Sequence, residues 1–413
     1  MISNFEIMSP TGNFECLRAA IQGGANAVYF GVENLNMRSK SANNFKLSQL
    51  AEIAEICRNS NVKSYLTLNV IMYDDDLNDM RKIIEEVKKT GIDAIIASDQ
   101  AVINYARKCD VEVHISTQLN ISNIDTLKFY AQYADIVVLA RELSLKQVAE
   151  IHRQIYEQQI KGPHGNPVKL EMFAHGALCM SISGKCYLSL HEYNYSANRG
   201  VCLQTCRRAY TVTDKETGTQ LEIDNEYIMS PKDLCTIGFL DKMIDAGVSV
   251  FKIEGRARSA EYVKTVSRCY SEAIKSIVEG TYNQQKVDEW MRQLGNVFNR
   301  GFWNGYYLGQ RLGEWSKEYG NQSPKRKEYV AKCTNFFGNI GIAEFLIEAG
   351  ELNKGDEIII TGSTTGVMEQ TVKEIRVDLK PVEKAEKGVY CSVPAIGKVR
   401  RGDKLYKIVD TVK

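Results

Sequence analysis

The stretch FEIMSPTGNFECLRAAIQGGANAVYFGV, residues 5–32, holds one complete repeat of the pattern on which the fold rests. Residues 5–9 read as a strand, residues 14–24 as a helix closed by Gly23 and Gly24, and residues 27–32 as a second strand. The alternation continues. Strands are expected at 64–70, 94–98, 112–117, 136–140, 169–174 and 248–255, with helices at 48–60, 75–90, 100–109, 123–133, 144–156 and from about 259 to 278. Leu50, Ile53, Ala54 and Cys57 recur at helical spacing, Asp or Ser caps open several helices, and Gly91 closes the third. Strands alternating with helices at this pace make parallel βαβ units.

A further candidate strand at 226–230 brings the count to nine, one more than a (β/α)8 barrel needs, and is read as an insertion. The fold class expected is therefore α/β, a TIM-like barrel, with a doubly wound open sheet as the competing architecture. The absence of a Gly-rich dinucleotide loop after the first strand favours the barrel. In a barrel, chemistry sits at the strand C-termini. The polar residues assigned there are Glu6, Ser9, Tyr29, Thr67, Asn69, Asp99, His114, Gln118, Arg141, Glu142, His175, Lys252 and Glu254.

The barrel is assigned to residues 1–282, with a Cys-rich insertion at 175–235. Residues 283–323, with Phe298, Phe302, Trp303, Tyr306, Tyr307 and Trp315, read as an aromatic-rich linker or lid. Residues 324–413 read as a small β-barrel, with strands expected at 328–335, 339–345, 357–361, 367–375, 389–393 and 404–409. Its basic run, Lys398 to Lys407, suits an accessory RNA-docking surface or simply a solvated turn, because Lys+Arg 16 against Asp+Glu 13 from Pro324 onward is a mild excess.

Over the 413 residues, Lys+Arg 52 and Asp+Glu 51 leave a formal charge of +1, which excludes a uniformly basic polyanion binder. No apolar run is long enough to span a bilayer, so no membrane association is expected. The N-terminus has no basic and apolar leader pattern, and the chain is expected to be cytoplasmic. In a reducing compartment, 11 cysteines are free, catalytic or metal-bound rather than paired. Five of them crowd one irregular segment: Cys179, Cys186, Cys202, Cys206 and Cys235. Structural zinc favours tight C-x2-4-C pairs, which only Cys202 and Cys206 supply. The wider spacing of the others suits an iron–sulfur cube, which draws thiolates from several directions and leaves one of the five spare.

At these residues the chain resembles the U-32 peptidase family, the collagenase-like group. The resemblance is carried by Met8–Glu15 with Ala25–Gly31, by Glu171–Cys186 and Asn198–Arg207, and by Lys252-Ile-Glu-Gly-Arg-Ala-Arg258, and so spans nearly the whole chain. It implies a TIM-like barrel and, in several members, a [4Fe–4S] cluster serving hydroxylation without molecular oxygen. The substrates implied are a tRNA wobble uridine, an rRNA cytidine or a ubiquinone precursor, with prephenate as a co-substrate in the RNA branches. It also implies metal ligands at Cys179, Cys186, Cys202 and Cys235, with Cys206 the alternative to Cys235. The partners it implies are tRNA or rRNA and a second homologous protein or a second copy of the chain.

The peptidase name finds little support in the residues. There is no His-Glu-x-x-His helix and no Gly-x-Ser-x-Gly elbow, which leaves Cys179 with His175 as the one conceivable nucleophile–base pair. Arg199, Arg207, Arg208, Lys252, Arg256 and Arg258 are assigned to substrate binding, for a dicarboxylate or RNA phosphates, and Glu171, His175, Glu254 and Asp233 to acid/base work. An RNA hydroxylase is the expected function. A peptidase and a zinc-stabilised RNA-docking scaffold are the alternatives.

Overall fold

A computed structural model describes residues 4–40, 42–208, 211, 213–218, 229–310, 313–316 and 320–411. The first unit runs β1 (Glu6–Pro10), α1 (Phe14–Gln22), β2 (Ala27–Gly31), α2 (Leu50–Asn59), β3 (Lys63–Leu68), α3 (Leu77–Thr90), β4 (Ala94–Ala97) and α4 (Gln100–Lys108). It continues through β5 (Glu112–Ile115), α5 (Ile124–Ala131), β6 (Ile136–Val138), α6 (Leu145–Glu157), β7 (Lys169–Gly176), α7 (Leu188–Tyr193), β8 (Asp233–Cys235), α8 (Leu240–Asp245), β9 (Val248–Ile253) and α9 (Ala260–Val278). Each of β1 to β6 pairs in parallel with the next, and β9 pairs in parallel with both β7 and β1. The ring is closed with eight strands. This is the TIM-like barrel, and it excludes the open sheet.

The helices form where the sequence marks them. Asn13, Asp99 and Asn123 cap α1, α4 and α5 through their side-chain oxygens, and Ser144 with Gln147 makes a reciprocal box at the start of α6. Gly91 takes φ 75° to end α3. The apolar faces of these helices bury against the outward side chains of the strands, while Met8, Tyr29, Tyr65, Ile96 and Val250 fill the barrel interior.

The candidate strand at 226–230 lies largely outside the described residues. The extra strand is β8, which runs antiparallel to the end of β7, His175 opposite Cys235, and parallel to β10 (Phe302–Trp303). The segment 283–323 packs on the barrel flank. Trp290 and Leu294 of α10 (Gln284–Gly295) and Tyr307 enter the barrel's outer core, and the Tyr307 hydroxyl donates to the Phe173 carbonyl at 3.0 Å.

The C-terminal unit is antiparallel: β11 (Lys325–Phe337), β12 (Ile342–Ile347), β13 (Glu351–Asn353), β14 (Glu357–Gly362), β15 (Gly366–Thr371), β16 (Ile375–Val377), β17 (Lys380–Val382), β18 (Lys384–Glu386), β19 (Tyr390–Pro394) and β20 (Lys404–Asp410). Eight of these form one sheet in the order β15-β14-β20-β11-β12-β19-β16-β17 over a separate core that includes Phe345, Ile360 and Leu405. The single strand expected over 367–375 is two, because the chain leaves β14 after Thr371 and takes β19 as its new neighbour. The sheet is fastened to the barrel by Gln22, which bonds the backbone of Thr365 and Val367, and by the ion pairs Lys264–Glu369 and Lys327–Glu261. No helix among the described residues is long and apolar enough to cross a membrane.

Candidate active site

The C-terminal ends of the barrel strands open into a cavity of about 170 Å³. Its floor and walls take Tyr29 from β2, Thr67 from β3, Phe173 from β7 and Lys252 from β9, with Arg141 and Glu254 just past β6 and β9. The insertion after β7 forms the other side, with Cys179, Cys186, Cys202 and Cys206 all lining the cavity. These four sulfurs are near enough to act on one another. Burial, then the neighbouring Cys179 and Cys202, pushes the Cys186 thiol up, and burial together with the other three cysteines pushes Cys206 up to about 11 against the opposing pull of Arg207. All are free thiols. Among the described residues no three His, Cys, Asp or Glu side chains are gathered tightly enough to hold a single metal ion as they stand.

Of the expected ligands, Cys235 is the one placed elsewhere. It faces away from the cavity on β8, fully buried, with its sulfur 3.8 Å from the Tyr270 hydroxyl and 3.6 Å from the Met291 sulfur. Cys206, the alternative to it, lines the cavity with the other three.

The polar floor is a cationic layer around one carboxylate. Glu254 accepts from Arg38 at 2.7 Å and lies 3.4 Å from the Tyr29 hydroxyl. Burial would raise its carboxyl, but Arg38, Arg141 and Arg256 outweigh burial and hold it at about 2. Arg256 is buried and donates to Thr67 at 3.1 Å and Asn36 at 2.8 Å, and burial brings it down to about 10. The same Asn36 oxygen accepts the Arg38 backbone N–H, so one amide fixes both arginines. Lys252 bonds Glu171 at 2.7 Å below the cavity, where the second Glu171 oxygen is buried without a hydrogen-bond partner. Arg141 lies over the Phe173 ring at 3.7 Å. Among the described residues, five cations, Arg38, Arg141, Arg207, Lys252 and Arg256, thus line the space against the single carboxylate of Glu254. An anionic small molecule suits that balance.

Several assigned residues stand apart from this space. His175 is buried against Tyr262, Tyr270 and Phe302, burial lowers its imidazole to about 3, so that it is neutral, and it does not line the cavity with Cys179. Alternation along β7 would send His175 inward with Glu171 and Phe173, but the pairing with β9 shifts register between Phe173 and His175. Asp233 pairs with Arg300 at 3.4 Å. Arg199 is committed to Asp76 and the Ile71 carbonyl, and Arg208 lies over Tyr193. Arg207 lines the cavity yet spends its guanidinium on Ser230, Pro231 and Leu178. Arg258 lies over Phe298 at 3.5 Å outside the main cavity. Glu6 and His114 belong to the opposite end of the barrel, bonded to Lys63 with Tyr65 and to Glu112. Arg38 lines the cavity and pairs with Glu254, and it is a residue that sequence reasoning missed. It sits in the loop after β2, and nothing in its neighbourhood marks that loop as folding over the mouth.

Residues 12–317 match the profile described as Peptidase family U32. A protein named collagenase from Porphyromonas gingivalis is 60% identical over 98% of both chains. The tRNA hydroxylation protein P1 of Bacillus subtilis is 31% identical over 90% of this chain and 86% of its own. The 23S rRNA 5-hydroxycytidine C2501 synthase of Escherichia coli is 35% identical over 66% of this chain and 40% of its own.

Proposed function

Because the chain belongs to peptidase family U32, whose named members are peptidases or RNA-hydroxylation proteins, we propose that it hydroxylates a pyrimidine of tRNA or rRNA without molecular oxygen. The observation carrying this reading is the convergence of four free thiols on a cationic cavity at the barrel mouth. Side chains alone cannot supply the redox chemistry, so a cofactor must. The Cys186 and Cys206 thiols, pushed up by burial and then by neighbouring cysteines, would be held as thiolates by a bound cation. Structural zinc favours tight C-x2-4-C pairs, which only Cys202 and Cys206 supply, so four thiols lining one cavity suit a multi-iron cluster better. Cys179, Cys186, Cys202 and Cys206 would hold a [4Fe–4S] cluster. When bound, it would supply one-electron or Lewis-acid chemistry at the cavity wall.

The remaining residues hold and orient. Arg38, Arg141, Arg256 and Lys252 would bind the carboxylates of a dianionic co-substrate such as prephenate, and Glu254, ionised, keeps Arg38 aimed at the cavity. Tyr29 and Phe173 wall the space and limit water. Nucleoside mass spectrometry of tRNA and rRNA from a deletion strain tests the proposal. Loss of a 5-hydroxypyrimidine, restored by the wild-type gene and not by Cys206→Ser, supports it, and unchanged nucleosides reject it.

The collagenase relative at 60% identity favours a second reading, proteolysis. Against it stands His175, neutral, buried and absent from the cavity lining that includes Cys179. Gelatin cleavage that is lost in Cys179→Ser would establish it.

A further inference from the structure

The rim of the mouth shows a regularity that the cavity alone leaves unexplained. Three of the cavity-lining thiols are each followed by a large apolar side chain exposed to solvent: Cys179 by Met180 (44% exposed), Cys186 by Tyr187 (73%) and Cys202 by Leu203 (41%). A loop folded only to present thiols gains by tucking such side chains inward, and a contiguous exposed apolar surface marks an interaction site. The pieces are tied together. Ser189, two residues beyond Tyr187, accepts the Leu203 N–H on its hydroxyl at 3.0 Å and the Tyr195 N–H on its carbonyl at 3.2 Å, and Tyr195 is itself 51% exposed. The loop after β3 joins the same rim. Its exposed Ile71 and Tyr73 are held by Arg199, which bonds the Ile71 carbonyl and lies over the Tyr73 ring at 4.1 Å.

The charge around this rim is positive. Residues 177–208 contain Lys185, Arg199, Arg207 and Arg208 against Glu192; Asp76 pairs with Arg199 and Glu192 with Arg208, so Lys185 and Arg207 leave the balance positive. A second cavity, about 340 Å³, shares Arg256 with the first and is lined by Lys40 and Arg258 with Asn13 and Asn43, with no carboxylate among its described lining residues. Exposed aromatic faces beside unopposed cations fit a strand of unstacked bases on a charged backbone. An extended polypeptide has an uncharged backbone and makes no use of the cations.

We propose that this rim docks a single-stranded segment of RNA, with bases stacking on Tyr187 and Tyr195 and a backbone phosphate held near Lys40 and Arg258, so that one nucleotide is lowered into the cavity. The proposal rests on the RNA reading above and names where the nucleic acid sits.

The test is fluorescence anisotropy with the full chain, purified anaerobically, and a labelled stem-loop RNA carrying uridine in its loop. Tyr187→Ala with Tyr195→Ala is expected to weaken binding about tenfold or more, and Tyr187→Phe with Tyr195→Phe to keep it within about twofold, because phenylalanine retains the ring face. Lys185→Glu, which disturbs no packed side chain, is expected to lower affinity as well. Unchanged iron content and circular dichroism show that the variants are folded. Wild-type protein that binds no RNA overturns the RNA reading. Wild-type protein that binds RNA while the alanine pair and Lys185→Glu bind equally well overturns this surface alone. Weakened binding of a gelatin peptide, with RNA binding unaffected, would make the occupant a polypeptide and refute the proposal.

Discussion

Glu254→Gln isolates the electrostatics of the cavity floor from any cofactor. The Glu254 carboxyl, ordinarily near 4.5, is held at about 2 by Arg38, Arg141 and Arg256, working against burial. At about 1.4 kcal/mol per pH unit this is roughly 3 kcal/mol of stability at neutral pH. The amide keeps the size of the side chain but leaves buried Arg256 and largely covered Arg38 without a counter-charge; breaking a fully buried pair typically costs about 3–5 kcal/mol, and this pair, 25% and 15% exposed, falls at the lower end. Both routes give about 3 kcal/mol. Because the folded pKa is depressed, the stabilisation is complete above the unfolded value near 4.5 and disappears as pH falls through about 2. Urea unfolding followed by circular dichroism should therefore show Glu254→Gln less stable by about 3 kcal/mol at pH 7, with the gap to wild type narrowing below about pH 4.5. Adding Arg38→Met to Glu254→Gln should recover part of the loss, since the stranded charge goes with it. Equal stability of wild type and Glu254→Gln at pH 7, or a gap that ignores pH, would refute the idea that the arginines hold Glu254 ionised.

Three further outcomes are expected. Cys206→Ser should lose iron and sulfide on anaerobic reconstitution while Cys235→Ser retains both, because only the first of these thiols faces the cavity, and chemical quantification of iron and sulfide reads this directly. His175, buried and lowered to about 3, is neutral when folded but takes a proton near 6.5 when unfolded, so wild-type stability should decline from about pH 6.5 toward pH 3 and His175→Phe should flatten that decline in pH-dependent urea unfolding. Gly176→Ala should cost about 1–3 kcal/mol in the same assay, because Gly176 has φ 104° and a Cβ there would lie 2.4 Å from the Glu254 carbonyl oxygen.

The barrel was legible because its strands are continuous apolar runs separated by capped helices, a pattern that local sequence carries in full. The thiol group was legible as a concentration of cysteines, but its membership was not. Cys206 and Cys235 differ only in which way a short irregular segment and a three-residue strand turn, and that depends on β8 pairing with the distant end of β7. His175 misled for a related reason, since strict alternation sends it inward and the register shift beside Phe173 sends it out to Tyr270. Arg38 went unseen because Asn36 and Glu254, far apart in sequence, jointly pin it.

The long excursion that carries the thiols leaves the barrel at Gly176 and returns at Asp233, and Gly176 lies directly opposite Leu234 in the β7–β8 pair. Its two ends are neighbours, so the excursion can lengthen, shorten or be exchanged at the small entropic cost of closing a loop, with no change demanded of the eight-stranded frame. Transplanting this excursion between homologues is thus a route to re-targeting the catalyst while its scaffold stays intact.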